Sequence, residues 1–140
     1  MKKIFIVLTL LLAANFVFAE AKFMGIPMGI SEAEAEQNKK SYEEKILKAF
    51  SSICYRVSIS YYYTESEPKQ VCGINIRYNT NTNIRSMFTY NIRSYLLENN
   101  YKKINDGDYY NDDFLALTSS DSIDVFDRSK FKSAMKSLMK

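Results

Sequence analysis

Residues 55–78 read YRVSISYYYTESEPKQVCGINIRY, and the fold follows from how this stretch alternates. Tyr55, Val57, Ile59, Tyr61 and Tyr63 fall on one side of an extended chain, and Cys72, Ile74, Ile76 and Tyr78 on one side of another. A hairpin that joins the two apolar faces pairs Val57 with Tyr78 and Tyr63 with Cys72, leaving residues 64–71 as its loop. The charges and the single proline in Glu65-Ser66-Glu67-Pro68-Lys69 suit a solvent-exposed turn.

Upstream of the hairpin, Tyr42, Ile46, Ala49, Phe50 and Ile53 recur at helical spacing. Ser31 is placed to cap that helix, and Glu32, Glu34 and Glu36 suit the positive end of its dipole. The helix is expected to run to about Ile53, with a break near Asn38. Residues 20–30 hold two of the four glycines and read as an extended lead-in or edge strand. Downstream, Ile84, Phe88, Asn91, Ile92, Tyr95 and Leu96 mark a second helix that opens at residues 81–83 and ends at Asn99-Asn100, since asparagine tolerates the left-handed cap. Two short strands over 113–118 and 122–126 then agree in face if Leu117 pairs with Ile123 and Leu115 with Val125. Asp127 caps a last helix with Phe131, Ala134, Met135, Leu138 and Met139 at i, i+3, i+4, i+7 and i+8. The order αββαββα implies an α+β domain over residues 31–140, an antiparallel sheet of about four strands with helices packed on one face.

Residues 1–19 carry the marks of a cleavable signal peptide. Lys2 and Lys3 precede an apolar run over residues 4–14, and Val17-Phe18-Ala19 supplies a small residue at the cut. The run is short of the ~20 residues a spanning helix needs. The expectation is an exported chain, soluble in the periplasm or outside the cell. Because Lys2 and Lys3 are two of the 19 basic residues, residues 20–140 hold 17 basic against 16 acidic, a net charge of +1. A nearly neutral exported chain has no field with which to gather nucleic acid, so that partner class is set aside.

Export makes Cys54 and Cys72 a candidate disulfide. The hairpin argues the other way: its regular form separates the pair by about nine residues at roughly 3.3 Å each, whereas a bridge needs Cα atoms within about 7 Å. Compartment and register therefore make opposite demands on these two residues.

The chain contains no histidine, which removes the usual general base, the Ser-His and Cys-His pairs and the commonest zinc ligand together. Its four glycines are too scattered for a phosphate-cradling loop. No cofactor and no metal is called for, and no catalytic residue is assigned. A carboxylate pair of the glycosidase kind is the remaining catalytic chemistry, with acids concentrated in residues 105–113. Asp106 and Asp108 do not fit a calcium loop, because Gly107 at its sixth position would demand an acid at Lys102. These acids read as turn residues.

Tyrosine, with 11 copies, is the other distinctive feature. Its ring offers apolar area at little entropic cost and keeps a hydroxyl for pairing. The expected role is a noncatalytic binding protein acting on another envelope or secreted protein, as an inhibitor, immunity or assembly factor would. Tyr62, Tyr63, Tyr109 and Tyr110 are the expected anchors, and Glu65, Glu67, Asp112 and Asp113 the surrounding charges. The alternatives are a glycan binder or carboxylate-dependent glycan hydrolase using the acidic loop, and membrane-surface binding through the basic C-terminal helix.

Overall fold

The computed structural model describes residues 21–51, 54, 56–80 and 85–130. Ten elements are described: β1 (Lys22–Phe23), β2 (Ile26–Pro27), α1 (Glu32–Ala49), β3 (Arg56–Tyr63), β4 (Val71–Asn79), α2 (Arg85–Glu98), β5 (Lys102–Lys103), β6 (Asp108–Tyr110), β7 (Phe114–Thr118) and β8 (Ser122–Asp127). The mixed α+β class holds. The sheet has six strands rather than about four, ordered β3-β4-β8-β7-β6-β5 with every neighbour antiparallel, and β1 and β2 form a separate pair. The two additional strands, β5 and β6, are two and three residues long and sit in a charged stretch without apolar alternation. Hydrophobic pattern therefore had nothing to mark them by. The expected signal peptide, residues 81–84 at the start of the second helix, and the C-terminal stripe over 131–140 lie outside the described residues.

Ser31 caps α1 as its sequence requires, Oγ accepting from Glu34 N at 3.2 Å, with Glu32 and Glu34 in the first turn. The helix continues unbroken through Asn38, whose Nδ2 donates to the Glu34 carbonyl, and ends at Ala49 with Phe50 as its C-cap, where an end at about Ile53 was expected. One helix face meets β3, the edge strand. Glu43 Oε1 accepts from Ile59 N at 2.8 Å, and Tyr61 Oη donates to the Ala35 carbonyl at 3.1 Å. A carboxylate thus occupies an outward amide of an edge strand that would otherwise invite a foreign strand.

The β3–β4 hairpin pairs Val57 with Tyr78 and Ile59 with Ile76, as the alternation demands. Its register shifts by one after Tyr62: Tyr62 pairs with Gly73 but Tyr63 with Val71. Cys72 is the extra residue of this bulge, so Val71, not Cys72, joins the core. Cys72 Sγ lies against the Tyr62 carbonyl at 3.3 Å, while Cys54 sits in the core at the hairpin's other end; both are free. The Cys54–Cys72 bridge is not formed, because the eight residues of β3 span ~26 Å at 3.3 Å each.

A second register differs by one. Leu115 pairs with Phe126 and Leu117 with Asp124, not with Val125 and Ile123. The connection is tighter than three residues: Ser119 N donates to the Ser122 carbonyl at 2.8 Å, leaving Ser120 and Asp121 at the tip. A slip of one residue exchanges the faces of a strand. Phe114 and Ala116 consequently enter the core with Ile123 and Val125, and Leu115 and Leu117 turn to the other side.

The core lies on one sheet face, where Ala35 and Ile46 of α1 and Ile92 and Leu96 of α2 meet Val57, Ile59, Ile74, Ile76, Tyr78, Tyr109, Phe114, Ala116, Ile123 and Val125. The opposite side is here called the far face. The lead-in belongs to the core as well. Met24 and Gly25 both adopt positive φ (50° and 80°), which turns β1 tightly into β2. Phe23 then meets Tyr95, Tyr101 and Phe114 edge-on, with ring centroids 6.2–6.4 Å apart. α2 ends in a Schellman motif: Tyr101 N donates to the Leu96 carbonyl at 2.9 Å, Asn100 N to that of Leu97 at 3.2 Å, and Asn100 takes φ 65°. No described helix is long and apolar enough to cross a membrane.

Candidate functional site

Antiparallel connectivity decides which loops meet. The β3–β4 loop over residues 64–70, the β6–β7 turn over 111–113, the turn over 128–130 that follows β8, and residues 99–101 between α2 and β5 all emerge at the same end of the sheet. Glu65, Glu67, Asp112 and Asp113 are therefore on one end, although they are nearly 50 positions apart in sequence. All four are exposed. The one ion pair among the described residues, Lys103 with Asp106 at 2.9 Å, stands at the opposite end.

The turns are held by asparagine. Asn111 Oδ1 accepts from Asp113 N at 2.9 Å and Phe114 N at 2.7 Å, which points the two aspartates outward; Asn105 Oδ1 does the same for Gly107 N and Asp108 N. The Arg128 guanidinium reaches back to the Asn111 carbonyl and lies 5.5 Å from the centre of the Tyr110 ring. Its backbone N donates to the Asp113 carbonyl at 2.9 Å. A concavity of about 330 Å³ opens beside this turn, lined by Asn99, Asn100, Lys102, Tyr110, Asn111, Asp112 and Asp113. Its lining is polar, with one aromatic ring.

The four expected anchors do not behave alike. Tyr62 is 39% exposed on the far face, its hydroxyl donating to Asp124 Oδ1 at 2.7 Å and its ring 5.1 Å from that of Phe126. The bond to Asp124, with burial behind it, pushes the phenol up to about 12. Tyr63 sits beside Tyr61 on the core side and donates to Glu36 Oε1 at 3.2 Å; burial first, then that bond, raises it to about 12. It closes the edge between α1 and β3 and is not a free anchor. Tyr109 is 2% exposed and packs in the core, because β6 is a strand and its residues alternate. Tyr110, the next residue, is half-buried on the far face. The Tyr109 assignment is therefore corrected: a tyrosine pair on a strand presents one ring, not two.

Arg128, Lys102 and Phe126 join the sheet-end group without having been singled out as site residues. Their one sequence signal was proximity to Asp127 and the acidic turn; strand order sets Phe126, paired with Gly73, beside the β3–β4 hairpin, whereas Lys102 on β5 stands at the opposite edge of the sheet. No group of acids and thiols able to hold a metal occurs among the described residues. Comparison of the chain with protein-family models, with characterised proteins and with solved structures finds no match.

Proposed function

We propose that this chain is an exported, noncatalytic binding protein that occludes a surface of another protein with the end of its sheet. The observation that carries the reading is convergence: four separate segments place exposed Glu65, Glu67, Asp112 and Asp113 at the same end of the sheet as Lys102, Arg128 and Tyr110, with no ion pair among them. Charges left unpaired within the fold are free to pair across an interface, where they fix register and partner choice. Tyr110, backed by Arg128, is the central aromatic, and Tyr62 extends the surface along the far face. An inhibitor, immunity factor or assembly factor would work in this way.

The test is capture from cell-envelope extract with the full-length chain. A partner should be recovered reproducibly and lost when Glu65, Glu67, Asp112 and Asp113 are changed to Lys together, yet kept when Asp106 at the opposite end is changed. Tyr110→Ala should weaken that complex by about tenfold or more. Repeated recovery of no partner, or a partner indifferent to all five changes, would sink the proposal.

The concavity favours a second reading, a saccharide ligand held by amide and carboxylate groups with Tyr110 as a stacking wall. Hydrolysis is less well served than binding. Two-carboxylate chemistry sets one acid on each side of the scissile bond, whereas Asp112 and Asp113 share one turn and face Asn99, Asn100 and Lys102. Asp112→Asn with Asp113→Asn should abolish retention on the cognate glycan; unchanged retention rejects this reading.

A further inference from the structure

We propose that the cleft between α1 and α2 binds a fatty acid, its acyl chain between the two helices and its carboxylate taken by Lys45 and Tyr95. The cleft is a largely apolar concavity of about 410 Å³, lined by Met24, Lys45, Ile46, Ala49, Phe50 and Tyr95. Small-molecule sites occupy about 300–1,000 Å³. Three elements build this one. α1 supplies Lys45, Ile46, Ala49 and its C-cap Phe50, α2 supplies Tyr95, and the β1–β2 turn supplies Met24.

The sequence of α1 explains why the gap stays open. Ile46, Ala49 and Phe50 fall at i, i+3 and i+4 on one helix face, and the middle position carries a methyl group where a longer side chain would fill the space. Tyr95 forms the facing wall, its ring set edge-on to Phe23 with centroids 6.4 Å apart. An acyl chain suits such walls because it leaves water for apolar surface on both sides.

The two polar side chains of the lining select the head group. Lys45 has Ser41, Tyr42, Lys48 and Ala49 as its helix-face neighbours, none of them acidic, whereas Lys48 has Glu44 one turn behind it. The Lys45 ammonium lies 5.8 Å from the centre of the Tyr42 ring, and the one ion pair among the described residues is elsewhere. The Tyr95 hydroxyl has no hydrogen-bond partner among the described residues. Burial raises that phenol, which keeps it a neutral donor. One cation, one donor and no acid complement a carboxylate. A neutral alcohol would satisfy them in part, and Lys45 repels a cationic head. The cleft is on the helix side of the sheet, so its ligand leaves Tyr62 and Tyr110 uncovered, and the assignment does not depend on the proposed partner.

The experiment titrates the full-length chain with decanoate by calorimetry at neutral pH, below the concentration at which decanoate forms micelles. One saturable site is expected. Ala49→Trp, which fills the cleft from an exposed helix position, should weaken binding by about tenfold or more. Lys45→Met and Tyr95→Phe should each weaken it by about threefold or more. Decanol should bind more weakly than decanoate and be indifferent to Lys45→Met. No saturable site, a site indifferent to Ala49→Trp, or equally tight binding of decyltrimethylammonium overturns the proposal. Capture of phosphatidylglycerol vesicles without saturation by decanoate assigns this side to a membrane and also overturns it. Should the altered chains fail to fold, nuclear magnetic resonance of the unaltered chain decides. Methyl signals of Met24, Ile46 and Ala49 that shift together and saturate with decanoate support the site, and shifts confined to other methyls overturn it.

Discussion

Gly73 shows how one residue sets the surface around it. A Cβ built there would stand 2.8 Å from Phe126 Cδ1, 3.0 Å from Tyr62 Cδ2 and 3.0 Å from the Val125 carbonyl oxygen. The two rings close over the bare backbone, and the carbonyl cannot yield as a side chain can. Gly73→Ala should lower stability by about 1–3 kcal/mol, read as a lower urea midpoint with unchanged slope. The tyrosines beside it give a pH dependence of definite sign. Tyr62 and Tyr63 are held up to about 12 from an ordinary value of 10.0, so the folded chain keeps protons that the unfolded chain loses. Their contribution is complete below about pH 10 and disappears as pH rises toward 12. The urea midpoint should fall over that window, and fall less steeply in Tyr62→Phe with Tyr63→Phe. Tyr109 and Tyr110 separate burial from recognition: Tyr109→Ala should cost about 3–5 kcal/mol of folding stability, and Tyr110→Ala a small fraction of that.

Among the elements, α2 carries the most legible stop signal. Asn100 is read from sequence as a left-handed cap and adopts φ 65°, which brings Tyr101 back onto Leu96. Asn100→Gly should preserve or raise the melting temperature, whereas Asn100→Val should lose about 1–2 kcal/mol, since a branched side chain collides with the carbonyl in that region. The hairpin β3–β4 was equally legible over most of its length because polar and apolar residues alternate without a break. Its bulge was not, since nothing in VCG distinguishes a residue that pairs from one that is skipped. The β7–β8 register escaped for a related reason: with Leu115 and Leu117 alternating one way and Phe114 and Ala116 the other, both faces of β7 are apolar, and the two-residue tip chooses between them.

At the scale of the whole molecule, the cysteines report whether register or compartment prevails. The hairpin keeps Cys54 in the core and Cys72 in the bulge, and burial pushes both thiols up, which makes them slow nucleophiles. Alkylation in denaturant without reductant should modify two thiols per chain. Modification of none would show a bridge and would require the hairpin to be shorter than its ladder. The site is a whole-molecule property too. Glu65 and Glu67 were expected beside Asp112 and Asp113 as interface charges, and the antiparallel order β3-β4-β8-β7-β6 is what brings their loops to one end.

Sequence by itself determined the mixed class, the capping of α1 by Ser31, the end of α2 at Asn100 and the pairing of Val57 with Tyr78. Each depends on local periodicity or on the backbone preference of one side chain, and both act over a few residues. Tertiary structure decided the bulge at Cys72, the face of Leu115, the burial of Tyr109 and the placing of the acidic loops at one end of the sheet. Those outcomes depend on which strand lies beside which, and a one-residue change in pairing, nearly neutral for each strand alone, exchanges everything that the core and the solvent receive.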